Sequence, residues 1–238
     1  MAEPWFVEAF RADYLDVYPH RDLASARQEV GYLAERGVGG RVLDLCCGTG
    51  RHCVAMRERG IDAFGLDLSL DLLRRARGLA GRILCGDARS IPCADASFGA
   101  VVSLFSSFGY FGAEGDRGVL REAARVLLPR GHLVIDLLNP AQVRARLVPS
   151  SVVLRGSLRI EERRSLAGDG RRVVKEVRVQ GEDGSSRSWR EDVLLYDVPD
   201  LQAILPGTGF ELLHTHGDLD GSPLSPDSPR QILWLRRG

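Results

Sequence analysis

Three aspartates recur at comparable places along the first half of the chain: Asp44 in "VLDLCCGTGRH", Asp67 in "DAFGLDLS" and Asp87 in "RILCGDA". Each sits in or just after a short apolar run. Asp44 lies inside its run, where a carboxylate is costly to bury unless a cation or a hydrogen-bond donor meets it. Asp67 ends the second run, where a carboxylate can accept from both hydroxyls of a ribose. Asp87 follows the third and can accept from an adenine amino group. Gly48 and Gly50 come directly after Asp44 and open a helical stretch. A strand, a glycine turn and a helix together aim backbone N–H groups and a positive helix end at the carboxyl edge of a sheet. That edge is where open α/β folds bind ligands.

The loop is not a phosphate-binding P-loop, because it has neither the GxxxxGK[ST] spacing nor the lysine. It matches a dinucleotide fingerprint only in part, since "GTGRHC" puts Cys53 at the third small position. A nucleoside site without phosphates fits the three acids better. Their order along one sheet edge suggests an amine end, a ribose and a base, which suits S-adenosylmethionine. That molecule carries an ammonium and a sulfonium and no phosphate. Arg51 and His52 fall in the first helical turn, and bracing the loop and touching the ligand are both open to them. Cys46 and Cys47 read as packing thiols, because small buried cysteines are inert unless something lowers their pKa. His214 and His216 alternate on a late strand away from these motifs, and His132 opens the fifth strand at the opposite end. No metal site is expected.

The elements that must hold these residues follow from the hydrophobic pattern. "RVLDLC", "DAFGLDLS", "RILCGDA", "SFGAVVSLF" and "HLVIDLLNP" read as five strands. Helices are expected over "HCVAMRERG", over "LDLLRRARGLA" with Ser69 as its cap, and over "AEGDRGVLREAARVLLPRG", closed by Pro129 and Gly131. Continuous apolar strands separated by helices predict a parallel sheet covered on both faces. After Pro149 the period changes to two, with Val173, Lys175, Val177 and Val179 on one face and turns at "AGDG" and "GEDG", which predicts antiparallel hairpins. A helix "DLQAILPGTG" and strands "FELLHTHGD" and "QILWLRR" then restore the α/β rhythm. Near the N-terminus, Trp5, Phe6, Phe10, Tyr14 and Tyr18 recur at helical spacing.

The bulk numbers set limits on this picture. The 238 residues are 44% hydrophobic and 27% charged, with a formal net charge of zero. A chain this long can bury a core unaided, and neutrality offers no broad surface for nucleic acid or anionic membrane. Lys175 is the one lysine, which excludes nearly every lysine-based mechanism. Five cysteines without CxxC spacing predict reduced thiols. The absence of a long apolar run and of a signal-peptide pattern makes a cytoplasmic location the expectation.

"VLDLCCGTGRH", "GLDLS" and "GDARSIPCADASFGAVVSLFSSFGYF" together resemble the class I S-adenosylmethionine-dependent methyltransferases, over about residues 40–140. The N-terminal "WFVEAFRADYLDVYPHRD", the late hairpins and "LYDVPDLQAILPGTGF" are similar to a bacterial small-molecule subgroup. That subgroup includes amino-sugar N,N-dimethyltransferases and relatives of glycine N-methyltransferase. The resemblance implies a Rossmann-like α/β fold with seven strands in the order 3-2-1-4-5-7-6 and an antiparallel sheet inserted after strand 5. It divides the chain into a helical lid over residues 1–36, a cofactor-binding core over 37–148 and 197–238, and the inserted sheet over 149–196. That sheet would serve as substrate cover or dimer contact.

Residue by residue, the resemblance assigns Gly48 and Gly50 to close approach under the cofactor, beside Cys46. Asp44 would organise the methionine amine end and Asp67 the ribose. Leu68 would lie against the adenine, and Asp87 with the Ala88 N–H would read the base. A carbonyl of Leu104 or Phe105 would meet the ammonium, while Tyr14 or Arg21 on the lid would reach the carboxylate. Tyr18, Ser106, Ser107, Phe108 and Tyr110 would face the acceptor, although Phe108 and Phe111 could equally plug the core. His20 would act as base where one is needed.

Methyl transfer is an in-line displacement at carbon with a leaving group already activated by its charge. Alignment can supply up to about 7–11 kcal/mol of such a barrier, so no catalytic triad is required. The expected partner is a small-molecule methyl acceptor, N-directed before O-directed, and the expected assembly is a monomer or homodimer. The fourth-strand exit "LFSSFGYF" lacks the [DN]PP[YFW] pattern of base-amine methylases, so a nucleic-acid acceptor is not expected. A non-catalytic cofactor-binding module and, more distantly, a nicotinamide oxidoreductase are the competing readings.

Overall fold

A computed structural model describes residues 4–11, 14–18 and 22–238. Five strands run through the first half: β1 (Arg41–Leu45), β2 (Asp62–Asp67), β3 (Ile83–Cys85), β4 (Phe98–Ser103) and β5 (Leu127–Leu138). With β10 (Phe210–His216) and β11 (Arg230–Arg237) they form one seven-stranded sheet, ordered β10-β11-β5-β4-β1-β2-β3. The first five pair in parallel, while β11 runs antiparallel to both β5 and β10. This is the expected order 3-2-1-4-5-7-6. β1 is buried on both faces from Val42 to Leu45, as a central parallel strand must be.

Register places the acids. Asp44 pairs with Gly65 and Asp67 with Cys85, so Asp44, Asp67 and, two residues past β3, Asp87 gather at the carboxyl edge. One buried cluster, with Leu43, Leu45, Val101, Leu120, Leu133 and Ile135, fills one side of the sheet. A second fills the other with Val42, Met56, Val102, Val134 and Trp234.

The second cluster also contains Ala26, Val30, Tyr32 and Leu33 of α3 (Leu23–Glu35), which is capped by Asp22 through the Ser25 N–H at 2.8 Å. This helix, which lies within the expected lid 1–36, is part of the core. Of the expected lid, the described helices outside those two clusters are α1 (Trp5–Ala9) and α2 (Tyr14–Val17). They pack through Ala9, Tyr14, Val17 and Tyr18 onto Ile160, Val177, Val179 and Trp189 of the inserted sheet. That sheet has four antiparallel strands: β6 (Ser150–Arg155), β7 (Leu158–Ala167), β8 (Arg172–Gly181) and β9 (Ser186–Leu194).

Three local expectations need correction. Ser69 does cap its helix, accepting the Leu72 N–H at 3.2 Å, but α5 stops at Leu73. Arg74, Arg75 and Arg77 crowd like charges there, and Gly78 turns to φ +71°. The sixth helix, α6 (Gly112–Val126), ends before Pro129, and Leu127 already pairs with Phe98 as part of β5. Pro129 sits where the register breaks, in a bulge that needs no ladder N–H. A short helix, α7 (Pro140–Arg146), fills a stretch that carried no expected element; Asn139 caps it by accepting the Ala141 N–H at 3.1 Å. The remaining helices are α4 (Arg51–Glu58) and α8 (Val198–Ile204).

Candidate active site

The carboxyl tips of β1, β2, β3 and β4 open into a cavity of about 1090 Å³, counting its open mouth. Its floor is the loop between β1 and α4. Cys46 takes φ +59°, Gly48 φ +58° and Gly50 φ +76°. A Cβ on Gly50 would stand 2.3 Å from the Leu79 side chain, so the loop closes down only because that position has none. At the tip of β4, Phe105 (φ +65°) and Ser106 (φ +60°) are also left-handed. Non-glycine residues held in this region cost of order 1–3 kcal/mol each and collect at ligand sites.

Asp67 ties the floor together. Its Oδ2 accepts the Gly48 N–H and its Oδ1 the Ser69 N–H, both at 2.7 Å. Each oxygen keeps a lone pair for another donor. Burial pushes this carboxyl above the ordinary aspartate value, against the opposing pull of those N–H groups. Leu68, beside it, lines the cavity and is 42% exposed. Asp87 also lines the cavity, but the Arg89 guanidinium grips it in a fork, with Nη2 to Oδ2 at 2.6 Å, and holds its pKa below the usual range. Arg89 in turn lies over the Phe111 ring at 4.5 Å.

Asp44 is not among the residues that line the cavity and is buried to 1% exposure. Its Oδ2 lies 3.7 Å from His52 Nδ1 and accepts the Cys53 thiol at 3.7 Å. His52 Nε2 meets Glu29 Oε2 at 2.5 Å, and Arg51 Nη1 donates to the same oxygen at 2.8 Å. Arg230 continues the network, 3.5 Å from Glu29 and 2.5 Å from Asp136. Asp136 accepts the Phe105 N–H at 3.0 Å and thereby fixes the left-handed tip of β4. Burial alone would lower the His52 pKa, but Asp44 and Glu29 outweigh it and hold the ring toward its cationic form. Burial and the nearby Asp67 push the Cys46 thiol well up, so it stands as a neutral packing group.

Of the residues singled out by sequence, Tyr14, Cys46, Gly48, Asp67, Leu68, Asp87, Ala88, Leu104, Phe105, Ser107 and Tyr110 line the cavity. Asp44, Gly50, Ser106, Phe108 and Tyr18 do not. Gly50 shapes the loop from behind, Ser106 donates its N–H to Asp136 O at 2.9 Å, and Phe108 is core at 2% exposure. Tyr18 donates to Glu191 Oε1 at 2.9 Å and contacts Lys175 Nζ, joining the N-terminal helices to the inserted sheet. His20 and Arg21 lie outside the described residues. The Leu104 carbonyl accepts the Ser107 hydroxyl at 3.1 Å and keeps its other lone pair. His214 and His216 stack on each other at 4.9 Å, and His216 meets the Tyr32 hydroxyl at 2.6 Å, far in sequence from the cavity residues. No grouping of His, Cys, Asp and Glu able to hold a metal occurs among the described residues.

The structure adds residues that the sequence did not single out for the site. Phe6, Val7, Phe10 and Phe111 complete the upper wall. The Phe10 and Tyr110 rings stack at 5.9 Å and 19°, and Ser69 Oγ donates to the Phe10 carbonyl at 2.5 Å. The aromatic stripe signalled Phe6 and Phe10, but Glu29, Asp136 and Arg230 carried no signal, since they meet only through tertiary packing.

The donor set suits an adenosyl ligand without phosphates. A carboxylate with spare lone pairs, a cavity-facing leucine and a second carboxylate follow one another along the sheet edge. Cys53, at the third position of the glycine pattern, is fully buried, and no lysine approaches the loop. Sheet order and site together define a class I methyltransferase. Residues 42–131 match the methyltransferase domain family. A demethylmenaquinone methyltransferase of Renibacterium salmoninarum is 31% identical over 164 residues, covering 67% of this chain and 68% of that protein. The CcbJ methyltransferase of Streptomyces caelestis shares the fold with a TM-score of 0.82 at 18% identity, covering 98% of both chains. The sugar N-methyltransferase KedS8 of a Streptoalloteichus species does so with a TM-score of 0.70 at 24% identity, covering 92% of this chain and 90% of its own. The chain belongs to the S-adenosylmethionine-dependent methyltransferases, and S-adenosylmethionine is its cofactor.

Proposed function

We propose that the protein methylates a nitrogen of a small molecule, in the manner that the sugar N-methyltransferase similarity suggests. The observation that carries this reading is the wall above the cofactor floor. Phe6, Phe10, Tyr110 and Phe111 offer aromatic faces. The acids and the histidine lining the cavity already have partners: Asp67 two backbone N–H groups, Asp87 Arg89, His52 Glu29. A nitrogen that becomes cationic during transfer is stabilised by aromatic faces. A hydroxyl acceptor needs a base beside it at every pH, whereas an amine needs one only below its own pKa.

The cofactor supplies a methyl group on a positively charged sulfur. The chain's own task is alignment and exclusion of water. Gly48 and Asp67 hold the floor, while Phe6, Val7, Phe10 and Tyr14 of the N-terminal segment, which is tied to the inserted sheet through the Tyr18–Glu191 bond among others, cover the cavity. The acceptor lone pair forms the new N–C bond as the S–C bonding pair returns to sulfur. An alkylammonium acceptor must shed a proton first, and we assign that proton to His20. If so, His20→Ala lowers turnover most below the acceptor's own pKa and least above it; a profile unchanged across pH removes the assignment.

A quinone-like acceptor, as the demethylmenaquinone methyltransferase similarity suggests, is the second reading, and the apolar wall favours it too. Methyl-labelled S-adenosylmethionine offered with an amino sugar, its hydroxyl counterpart and a demethylated quinone separates the cases. Label on nitrogen supports the proposal. Label on oxygen or ring carbon alone contradicts it, and absence of the demethylated cofactor in every arm points to a binding module.

A further inference from the structure

Arg51 lines the cavity with half of its guanidinium unpaired. Its Nη1 is fully occupied, donating to Glu29 Oε2 at 2.8 Å, to Ser25 Oγ at 3.3 Å and to Asp22 O at 3.5 Å. Its Nη2 is buried and has no hydrogen-bond partner. The side chain is only 11% exposed, and its guanidinium lies 5.1 Å from the centre of the Phe105 ring. Buried polar atoms in folded proteins are almost always partnered, so an orphaned guanidinium nitrogen on a residue that lines a cavity points to an absent acceptor.

Position says which acceptor. In the sheet order β4-β1-β2-β3, Asp67, Leu68 and Asp87 follow β2 and β3, at the nucleoside side. Arg51 follows β1 and lies against Phe105 at the tip of β4, on the opposite side of the cavity. Charge agrees. Glu29, Asp44 and Asp136, all buried, face Arg51, Arg230 and His52, three acids against three bases when His52 is protonated, while Asp218, 4.0 Å from Arg230, is exposed to solvent. This balanced network already satisfies Nη1, while Nη2 needs an acceptor, and an anionic oxygen makes the strongest partner for a guanidinium.

We propose that Arg51 Nη2 receives the carboxylate of the cofactor's amino-acid tail, making Arg51 the residue that distinguishes a carboxylated from a decarboxylated adenosyl ligand. The inference rests on the assignment of this cavity to the cofactor and is independent of the acceptor's identity. It gives the loop "GTGRH" two functions: its glycines set the floor, and its arginine reads the tail. Glu29 fixes the guanidinium by the fork's other nitrogen, so the free donor is held ready before the ligand arrives.

The test compares two thioethers by calorimetry: S-adenosylhomocysteine and 5′-deoxy-5′-(3-aminopropylthio)adenosine, which lacks only the carboxylate. The wild-type protein should prefer the carboxylated ligand by about 10- to 100-fold, the loss typical when one hydrogen bond to a charged group is removed. Arg51→Gln should abolish that preference and leave affinity for the decarboxylated ligand within about twofold of wild type. Equal weakening of both ligands would show a purely structural role, and an undiminished preference would show that another group holds the carboxylate; either overturns the proposal. Arg51→Lys guards against a variant that fails to fold, because it keeps the charge but loses the fork. Its preference should shrink to roughly a third or less of wild type, and a full wild-type preference overturns the proposal. Equal affinity of the wild type for both ligands also overturns it. If neither thioether binds, the cofactor cavity falls along with Arg51, whereas a preference insensitive to position 51 counts against Arg51 alone.

Discussion

Replacing Asp67 by alanine isolates the group on which cofactor binding most depends. In the structure each oxygen of Asp67 accepts one backbone N–H at 2.7 Å, from Gly48 and from Ser69. The spare lone pairs are the ones proposed for the two ribose hydroxyls. A hydrogen bond to a charged group contributes about 1.5–3 kcal/mol, so losing two costs about 3–6 kcal/mol, or about 10²- to 10⁴-fold in affinity. The fold should survive. The variant frees two N–H groups at the edge of an open cavity, where water can reach them, and it also removes a carboxylate that burial disfavours. Isothermal calorimetry with S-adenosylhomocysteine gives the affinity, and thermal melting confirms that the protein is folded. A pH series adds a second check. Ribose hydroxyls need the ionised carboxylate, whose pKa burial has raised, so wild-type binding should weaken with falling pH sooner than an ordinary aspartate would dictate. Affinity within about threefold of wild type in a folded Asp67→Ala protein would refute the ribose assignment.

Two further perturbations probe the loop that carries the aromatic wall. Asp116, fully buried in α6, accepts the Phe111 N–H at 3.3 Å and the Tyr196 hydroxyl at 2.8 Å, and burial raises its pKa to about 6. A raised acid stabilises the fold most below its unfolded pKa and loses that contribution as pH climbs through its folded pKa. Wild type should therefore lose about 2 kcal/mol relative to Asp116→Asn between about pH 4 and pH 7. Urea denaturation at the two pH values measures this, and parallel stabilities would contradict it. Tyr110 stacks on Phe10 and meets Trp5 edge-on at 4.7 Å. Tyr110→Ala should cut kcat/KM for the acceptor by about 10-fold while S-adenosylhomocysteine affinity stays within about twofold. An equal loss in both would place Tyr110 with the cofactor instead.

How far the chain could be read from its residues depended on the range of the interactions. The strands themselves and the placing of Asp67 and Asp87 at their ends were legible, because apolar runs and the turns that end them are local; the seven-stranded order was implied by the family resemblance alone. The helix expected over Leu70–Ala80 was not, since three nearby arginines and a left-handed Gly78 override its periodicity. Pro129 misled as a helix stop because a bulge tolerates it inside β5. Asp44 was assigned to the ligand, yet its carboxylate faces the Glu29–His52 network, whose members lie 23 residues apart in sequence. Asp136 and Arg230 are 94 residues apart. No spacing rule links such positions before the sheet has assembled. The same holds for Tyr18, an expected acceptor contact that instead joins Glu191 and Lys175 of the inserted sheet.

A crystal structure with S-adenosylhomocysteine bound tests the central claim most directly. The account predicts the ribose hydroxyls on Asp67, the adenine against Leu68 beside Asp87, and the amino-acid tail toward Phe105 and Arg51. A ligand bound elsewhere, or a crevice that closes over Asp67 and admits nothing, would contradict it.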